Sequence, residues 1–293
     1  MRRGRCRGSR LAGSGGRGDG GGGGDAAPRR HRRRGVRGRL PRLADALRQT
    51  ALFVALPAAT TAGLDEEIGV AHEEQRDQVI WACRELARLG LTAGTAGNVS
   101  VRIPESNLIA ASPSSVRYET MRVEDVCVVD VDSGDLIEGE RNPTSELLMH
   151  LAVHRARPDD VGAVIHAHCV QVTALSLLGR DIPPIMDEQV AILGGEVRLC
   201  PHSLPGSQAL ADAVVEHLGD RRAVMLAHHG MLGVGRDAVQ AITVCHMTER
   251  LAQIMLAVIP HGEPSVIPAE VQELERIYYD IQVRRKVGRR TSS

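Results

Sequence analysis

The chain has 293 residues, enough for one large or two small domains, and a formal charge of zero. That zero hides an asymmetry: residues 1–42 carry 14 Arg against Asp19 and Asp25, and the remainder is acidic by about 12 charges. No uninterrupted apolar run of about eighteen residues occurs, which argues against a transmembrane helix, and the single lysine, Lys286, excludes a P-loop and argues against a Schiff-base mechanism.

Residues 1–63 read as a disordered Arg/Gly-rich extension and linker, because they hold too little apolar surface to offset their ordering entropy. Within them "ALFVALPAATTAG" (51–63) has some features of a signal-peptide core, but it begins too late behind too long a basic segment and is read as linker. The extension has no aromatic interleaving for stacking bases, so nucleic-acid binding is not expected, and a translated upstream extension is the simpler account. Residues 64–283 read as the folded domain and 284–293 as a basic tail.

The stretch 64–91 is predicted helical, with Ile80, Cys83, Leu86 and Leu89 at helical spacing and Gly90 as its stop. "TAGTAGNVSVRI" (92–103) is a glycine-spaced turn running into an alternating strand, with "NLIAAS" (107–112) as its hairpin partner. A strand, turn and return strand follow over 126–140. Residues 143–158 are predicted helical, capped by Thr144 or Ser145. A strand over 161–169 leads into a helix ending at Gly179. Residues 223–235 form two strands interrupted by His-His-Gly, and 237–258 a long helix capped by Asp237. Early strands follow one another as hairpins and later ones alternate with helices, which predicts a mixed, largely antiparallel sheet covered by helices. Six scattered cysteines without a C-x-x-C pair suit a reduced, cytoplasmic protein.

With its one lysine, Lys286, in the basic tail, carbonyl chemistry here requires a metal as electron sink. In "AVIHAHCV" (163–170) the period of a strand puts His166 and His168 on one face, able to chelate one cation. "AHHG" (227–230) ends a second apolar strand, and its adjacent histidines point opposite ways, so one of them can join. Three imidazoles with an open position make a catalytic zinc pattern. Glu146, at the start of its helix, is the candidate carboxylate beside it. His150 and His154, at i and i+4, more commonly pack or face solvent than bind metal. The Gly-rich turn and "SPSS" (112–115) offer amides and hydroxyls to an anion.

"GTAGNVSVR" (94–102), "SPSS", "PTSE" (143–146), "HAH" (166–168) and "HHG" (228–230), in that order, resemble the class II aldolase/adducin family over about residues 70–283. The resemblance implies a three-layer α/β/α fold around a mixed, largely antiparallel sheet. It implies Zn²⁺ on His166, His168 and His229, Glu146 as catalytic carboxylate, and Asn98, Ser114, Ser115, Thr144 and Ser145 around a substrate phosphate. The activity it implies is cleavage of a ketose 1-phosphate to dihydroxyacetone phosphate and a small aldehyde through a metal-stabilised enediolate. Epimerases, dehydratases and decarboxylases share the scaffold, and an adducin-like module without catalysis is disfavoured because the histidines and Glu146 are all present. Where related aldolases supply a tyrosine after "I-P" across a subunit interface, this chain has Asp187, Glu188 and Gln189, so Asp187 and Glu188 are the substitute proton donors. Tyr278 and Tyr279 could compensate from the C-terminus. A homotetramer with sites between subunits is the implied assembly.

Overall fold

The computed structural model describes residues 71–287, so the expected extension over 1–63 lies outside the described residues. Helix α1 (Glu73–Arg88) carries acids in its first turn and Arg88 in its last, matching the helix dipole. Its buried stripe is Val79, Ile80, Cys83 and Leu86, and Gly90 ends it in the left-handed conformation.

Strands β1 (Asn98–Arg102), β2 (Leu108–Ala111), β3 (Cys127–Asp130) and β4 (Leu136–Glu138) then run as consecutive antiparallel hairpins. Helix α2 (Leu147–Ala156), β5 (Ala163–Ala167), α3 (Val170–Ser176), α4 (Asp187–Leu193), β6 (Arg198–Cys200), α5 (Gln208–Leu218), β7 (Ala223–Leu226), β8 (Gly230–Gly235), α6 (Ala238–Val258) and α7 (Ala269–Val287) complete the domain. The sheet order is β4-β3-β2-β1-β5-β8-β7-β6, and its one parallel junction is β6 with β7. This is the expected mixed, largely antiparallel sheet.

Alternation along the strands decides which helices cover which face. Val99, Val101, Ala163, Ile165 and Met225 enter one cluster with α1, α3 and α6. Val164, Val224, Leu226, Leu232 and Val234 enter a second cluster with α2 and α5 on the other face. Each large aliphatic side chain so buried contributes about 1.5–3 kcal/mol. The molecule is thus a three-layer α/β/α sandwich, and the second face also carries polar residues Asn98, Ser100 and His166.

Several boundaries differ from the sequence reading. Helix α2 begins at Leu147 rather than 143 because Pro143 and Thr144 are held in a bridge to the 112–115 loop, with the Thr144 N–H donating to the Ser112 carbonyl at 3.1 Å. Its N-terminal position is Glu146, and Thr144 Oγ1 accepts from the Glu146 N–H at 3.3 Å. Helices α4, α5 and α7 and strand β6 add to the elements expected from sequence, and α7 runs through the expected boundary at 284 to Val287.

Helix α6 is capped as expected, Asp237 Oδ1 accepting from the Gln240 N–H at 2.8 Å. By length and composition the segment from Ala238 to His261 could cross a membrane. In the fold, Ala241, Val244, Cys245, Leu251, Ala252 and Met255 pack one face of it into the core of the domain. Its Glu249 carboxylate accepts from the N–H groups of Gln171 and Val172, both at 3.0 Å, and so caps α3.

Helix α7 is docked by Tyr279, 2% exposed, whose hydroxyl donates to the Asp220 carbonyl at 2.7 Å. Beside it Glu275 has one buried oxygen with no hydrogen-bond partner, and burial together with the charge of Asp187 pushes its carboxyl up to about 7. The folded chain therefore binds more protons than the unfolded chain between the ordinary value of 4.5 and about 7. The stabilising contribution of the protonated group is complete below that window and is lost as pH rises through it. Glu275→Gln is expected to raise Tm at pH 8 while leaving Tm at pH 4 nearly unchanged, measured by differential scanning calorimetry.

Candidate metal and active site

Two glycines let the strands converge where the polar residues gather. Gly97 has φ +89°, and a Cβ there would stand 2.8 Å from the His166 carbonyl oxygen. A Cβ on Gly230, the first residue of β8, would stand 2.3 Å from the Ala167 carbonyl oxygen. Both close approaches bring neighbouring backbone against the end of β5, where His166 and His168 emerge. Gly97→Ala is expected to cost about 1–3 kcal/mol in urea unfolding, from strained backbone and displacement of the β5 end.

His166 is fully buried in β5, opposite Asn98 on β1 and Leu232 on β8. Its Nδ1–H donates to the Met231 carbonyl at 2.9 Å, since a carbonyl can only accept. That fixes the tautomer and turns the Nε2 lone pair toward Glu146 Oε2, 3.2 Å away. His168 Nε2 is 2.8 Å from His166 Nε2, and His229 Nε2 is 3.4 Å from Glu146 Oε1. The potential ligand atoms of Glu146, His166, His168 and His229 all lie within 4.8 Å of one another. His228 adopts φ +60° and turns away, its ring 5.7 Å from that of His202. Adjacent histidines thus do point to different places.

Burial and the neighbouring rings hold His166 well below the ordinary imidazole range. Burial and His229 lower His168. Burial lowers His229, with Glu146 opposing. Near neutral pH the cluster consists of uncharged imidazoles, and the fixed Nε2 lone pair of His166 faces the Glu146 carboxylate. Such an arrangement repels itself unless a cation lies between the donors, and Glu146 Oε1 is buried with no hydrogen-bond partner. The donor set therefore fits a divalent ion.

The carboxylate is tied back into the protein. Asn98 Nδ2 donates to Glu146 Oε2 at 3.0 Å, and Asn98 Oδ1 lies 2.5 Å from His150 Nε2. Ser100 Oγ lies 2.8 Å from His150 Nδ1 and 2.9 Å from His154 Nε2. His150 and His154 are fully buried, contrary to a surface role.

Comparisons with known proteins bear on this constellation. The family model described as class II aldolase and adducin N-terminal domain matches residues 77–256. The chain belongs to the class II aldolase/adducin family. It is 37% identical over 201 residues to a 5-deoxy-D-ribulose 1-phosphate aldolase of Bacillus thuringiensis, covering 69% of this chain and 93% of that one. It is 36% identical over 187 residues to the L-fuculose phosphate aldolase of Escherichia coli K12, covering 64% and 85%. A solved L-fuculose 1-phosphate aldolase superposes with a TM-score of 0.68 at 33% identity, covering 72% of this chain and 98% of that one. This class II aldolase-family chain thus stands with the enzymes of the family, the lyases.

The other expected site residues are distributed unevenly. The 112–115 and 142–145 loops are tied together by the Pro113–Pro143 bridge and by the Ser114 N–H donating to the Asn142 carbonyl at 2.9 Å. Ser114, Ser115 and Ser145 are exposed on them, Ser115 with φ +62°, and Thr144 is buried against the Glu146 backbone. Asn98 is 5% exposed, with its amide engaged by Glu146 and His150. Only its second amide hydrogen remains to be offered to an anion.

Asp187 and Glu188 lie outside the imidazole cluster of their own chain, exposed in the first turn of α4. Glu188 pairs with Arg250 at 3.7 Å. Gln189 is fully buried and donates to the carbonyls of Pro183 and Gly195, each at 3.1 Å, which fixes the loop before α4. Tyr279 holds α7 in place through Asp220, and Tyr278 is 37% exposed. The residues missed from sequence as part of this site are Ser100, His150 and His154. The available signal was the coincidence of His150 and His154 at i and i+4 on the helix that starts with Glu146, together with a serine facing inward on β1.

Proposed function

We propose that this chain is a zinc-dependent aldolase that cleaves a ketose 1-phosphate to dihydroxyacetone phosphate and a small aldehyde. The observation that carries the reading is the Glu146 carboxylate directed at three neutral imidazoles, with one of its oxygens buried and unpartnered. In it, His166, His168 and His229 hold the ion. When bound, Zn²⁺ supplies Lewis-acid stabilisation of negative charge on the carbonyl half of the substrate.

The chain's own groups carry the rest. Ser114, Ser115, Ser145, Thr144 and the free amide hydrogen of Asn98 engage the phosphate, so that binding energy becomes orientation. Glu146 moves the proton at the carbon that gains electrons as the carbon–carbon bond breaks. The hydroxyl proton of the departing aldehyde passes to Asp187 or Glu188 from a neighbouring copy in a homotetramer, a placement consistent with their exposure on α4. The 1-phosphoketose class is supported by relatives named for 5-deoxyribulose and fuculose phosphates. The absence of a tyrosine from 182–195 favours an aldehyde oriented differently from that of fuculose 1-phosphate.

The test is incubation of the zinc-loaded protein with 5-deoxyribulose 1-phosphate and with fuculose 1-phosphate, followed by assay of dihydroxyacetone phosphate. Release of the triose phosphate from either supports the aldolase. Consumption of a sugar phosphate without triose phosphate would assign an epimerase or dehydratase on the same scaffold.

A further inference from the structure

We propose that Ser100, His150 and His154, acting through Asn98, form a one-way hydrogen-bond chain that holds the Glu146 carboxylate turned into the imidazole cluster. The three are positioning residues, and the inference rests on the aldolase reading for the reaction they serve. All lie on the face of the sheet covered by α2, where neighbouring strand positions are aliphatic.

The direction of the chain follows from donor and acceptor chemistry alone. A carboxylate only accepts, so the Asn98 amide nitrogen faces Glu146, and its oxygen therefore faces His150. That oxygen only accepts, so His150 carries its hydrogen on Nε2 and a lone pair on Nδ1. The Nδ1 lone pair takes the hydroxyl hydrogen of Ser100, whose oxygen is left to accept Nε2–H of His154. Four consecutive hydrogen bonds thus point toward Glu146. Burial favours the neutral imidazoles that this scheme needs, lowering His150 to about 3.

Ser100, His150 and His154 are each 0% exposed and Asn98 is 5% exposed. Burying two imidazoles and a hydroxyl where aliphatic residues pack costs free energy unless they are bonded. Among the described residues every polar side-chain atom of Ser100, His150 and His154 except His154 Nδ1, which carries a lone pair in this scheme, has a partner in the chain. This network ends on Glu146 Oε2. An amide in the path prevents proton conduction without rotation of Asn98, so the chain orients the carboxylate and does not feed it protons. The donated bonds also polarise one another, strengthening the last one to Glu146 Oε2.

The first experiment needs no substrate: ¹⁵N NMR of the histidine-labelled wild-type protein. Both His150 and His154 are expected as neutral Nε2–H tautomers, and an Nδ1–H tautomer or a protonated ring at either near neutral pH would overturn the chain. The second compares Ser100→Ala, His154→Phe and His154→Gln on the ketose phosphate that the wild type cleaves. Ser100→Ala and His154→Phe are expected to lower kcat roughly 10- to 100-fold with KM unchanged, the range typical of residues that orient a metal-site ligand. His154→Gln, which restores a donor near the Nε2 position, is expected to recover most of the rate. Wild-type kcat in Ser100→Ala, or equal loss in His154→Phe and His154→Gln, would overturn the positioning role. Should the variants fail to fold, the tautomers decide. Should the wild type cleave no ketose phosphate, the aldolase reading fails, and the tautomers still decide the chain.

Discussion

Glu146→Gln is expected to lower kcat for ketose phosphate cleavage by roughly 10²- to 10⁴-fold, the usual contribution of a positioned acid–base group. KM should stay near its wild-type value, because the exposed hydroxyls of the 112–115 and 142–145 loops are untouched. Glutamine matches glutamate in shape and can still accept from Asn98 through its oxygen, so the protein should fold and unfold as the wild type does. What it cannot do is move a proton. Steady-state kinetics beside a thermal melt separates these contributions. A variant that retains more than about a tenth of the wild-type kcat would remove Glu146 from the acid–base role, being below the least contribution such a group makes.

The second large effect concerns the ion. His229→Ala is expected to abolish zinc retention through dialysis and to lower affinity beyond the roughly 10- to 100-fold seen when only an outer orienting partner is lost. His229 is the informative choice because it sits in the turn before β8 with 13% side-chain exposure, whereas His166 is sealed in β5 and bonded to Met231. An ion bound only by the folded protein stabilises it by about 2.7 kcal/mol at one hundred times its dissociation constant. Added zinc should therefore raise the wild-type Tm and leave that of His229→Ala unmoved. Metal analysis and calorimetry read the two effects independently. An unchanged zinc content in the variant would show that His229 is no ligand.

The parts of the fold that sequence disclosed are those with a short physical period. Strand β1 alternates valines with polar residues, short turns join β1 to β2 and β3 to β4, Asp237 begins α6 with a side-chain cap, and Gly90 and Gly179 stop their helices with positive φ. Two histidines one residue apart in an apolar run were legible because a strand's period puts both on one side, although β5 ends at Ala167 and His168 lies just beyond. Proximity of β5 to the His-His-Gly turn was not legible from periodicity. It comes from pairing between β5 and β8, distant in sequence, and from the resemblance to the aldolase family.

Three features were beyond a linear reading. The start of α2 is set by a bridge between two loops that no local propensity encodes. Helix α7 was obscured by exposed Leu274, Ile277, Tyr278 and Ile281, which blur its amphipathic pattern, while Tyr279 and Arg276 dock it through Asp220 and Gly194. The bonds of Asn98 to Glu146 and His150 add to its expected place near the phosphate a geometry visible only once β1 and α2 face each other.

Treatment of the purified protein with a chelator, followed by re-addition of Zn²⁺ and assay of dihydroxyacetone phosphate release, tests the central claim most directly. Release is expected to stop when the ion is removed and to return as the His166, His168 and His229 cluster takes up zinc again. Undiminished cleavage by the fully metal-free protein would contradict it.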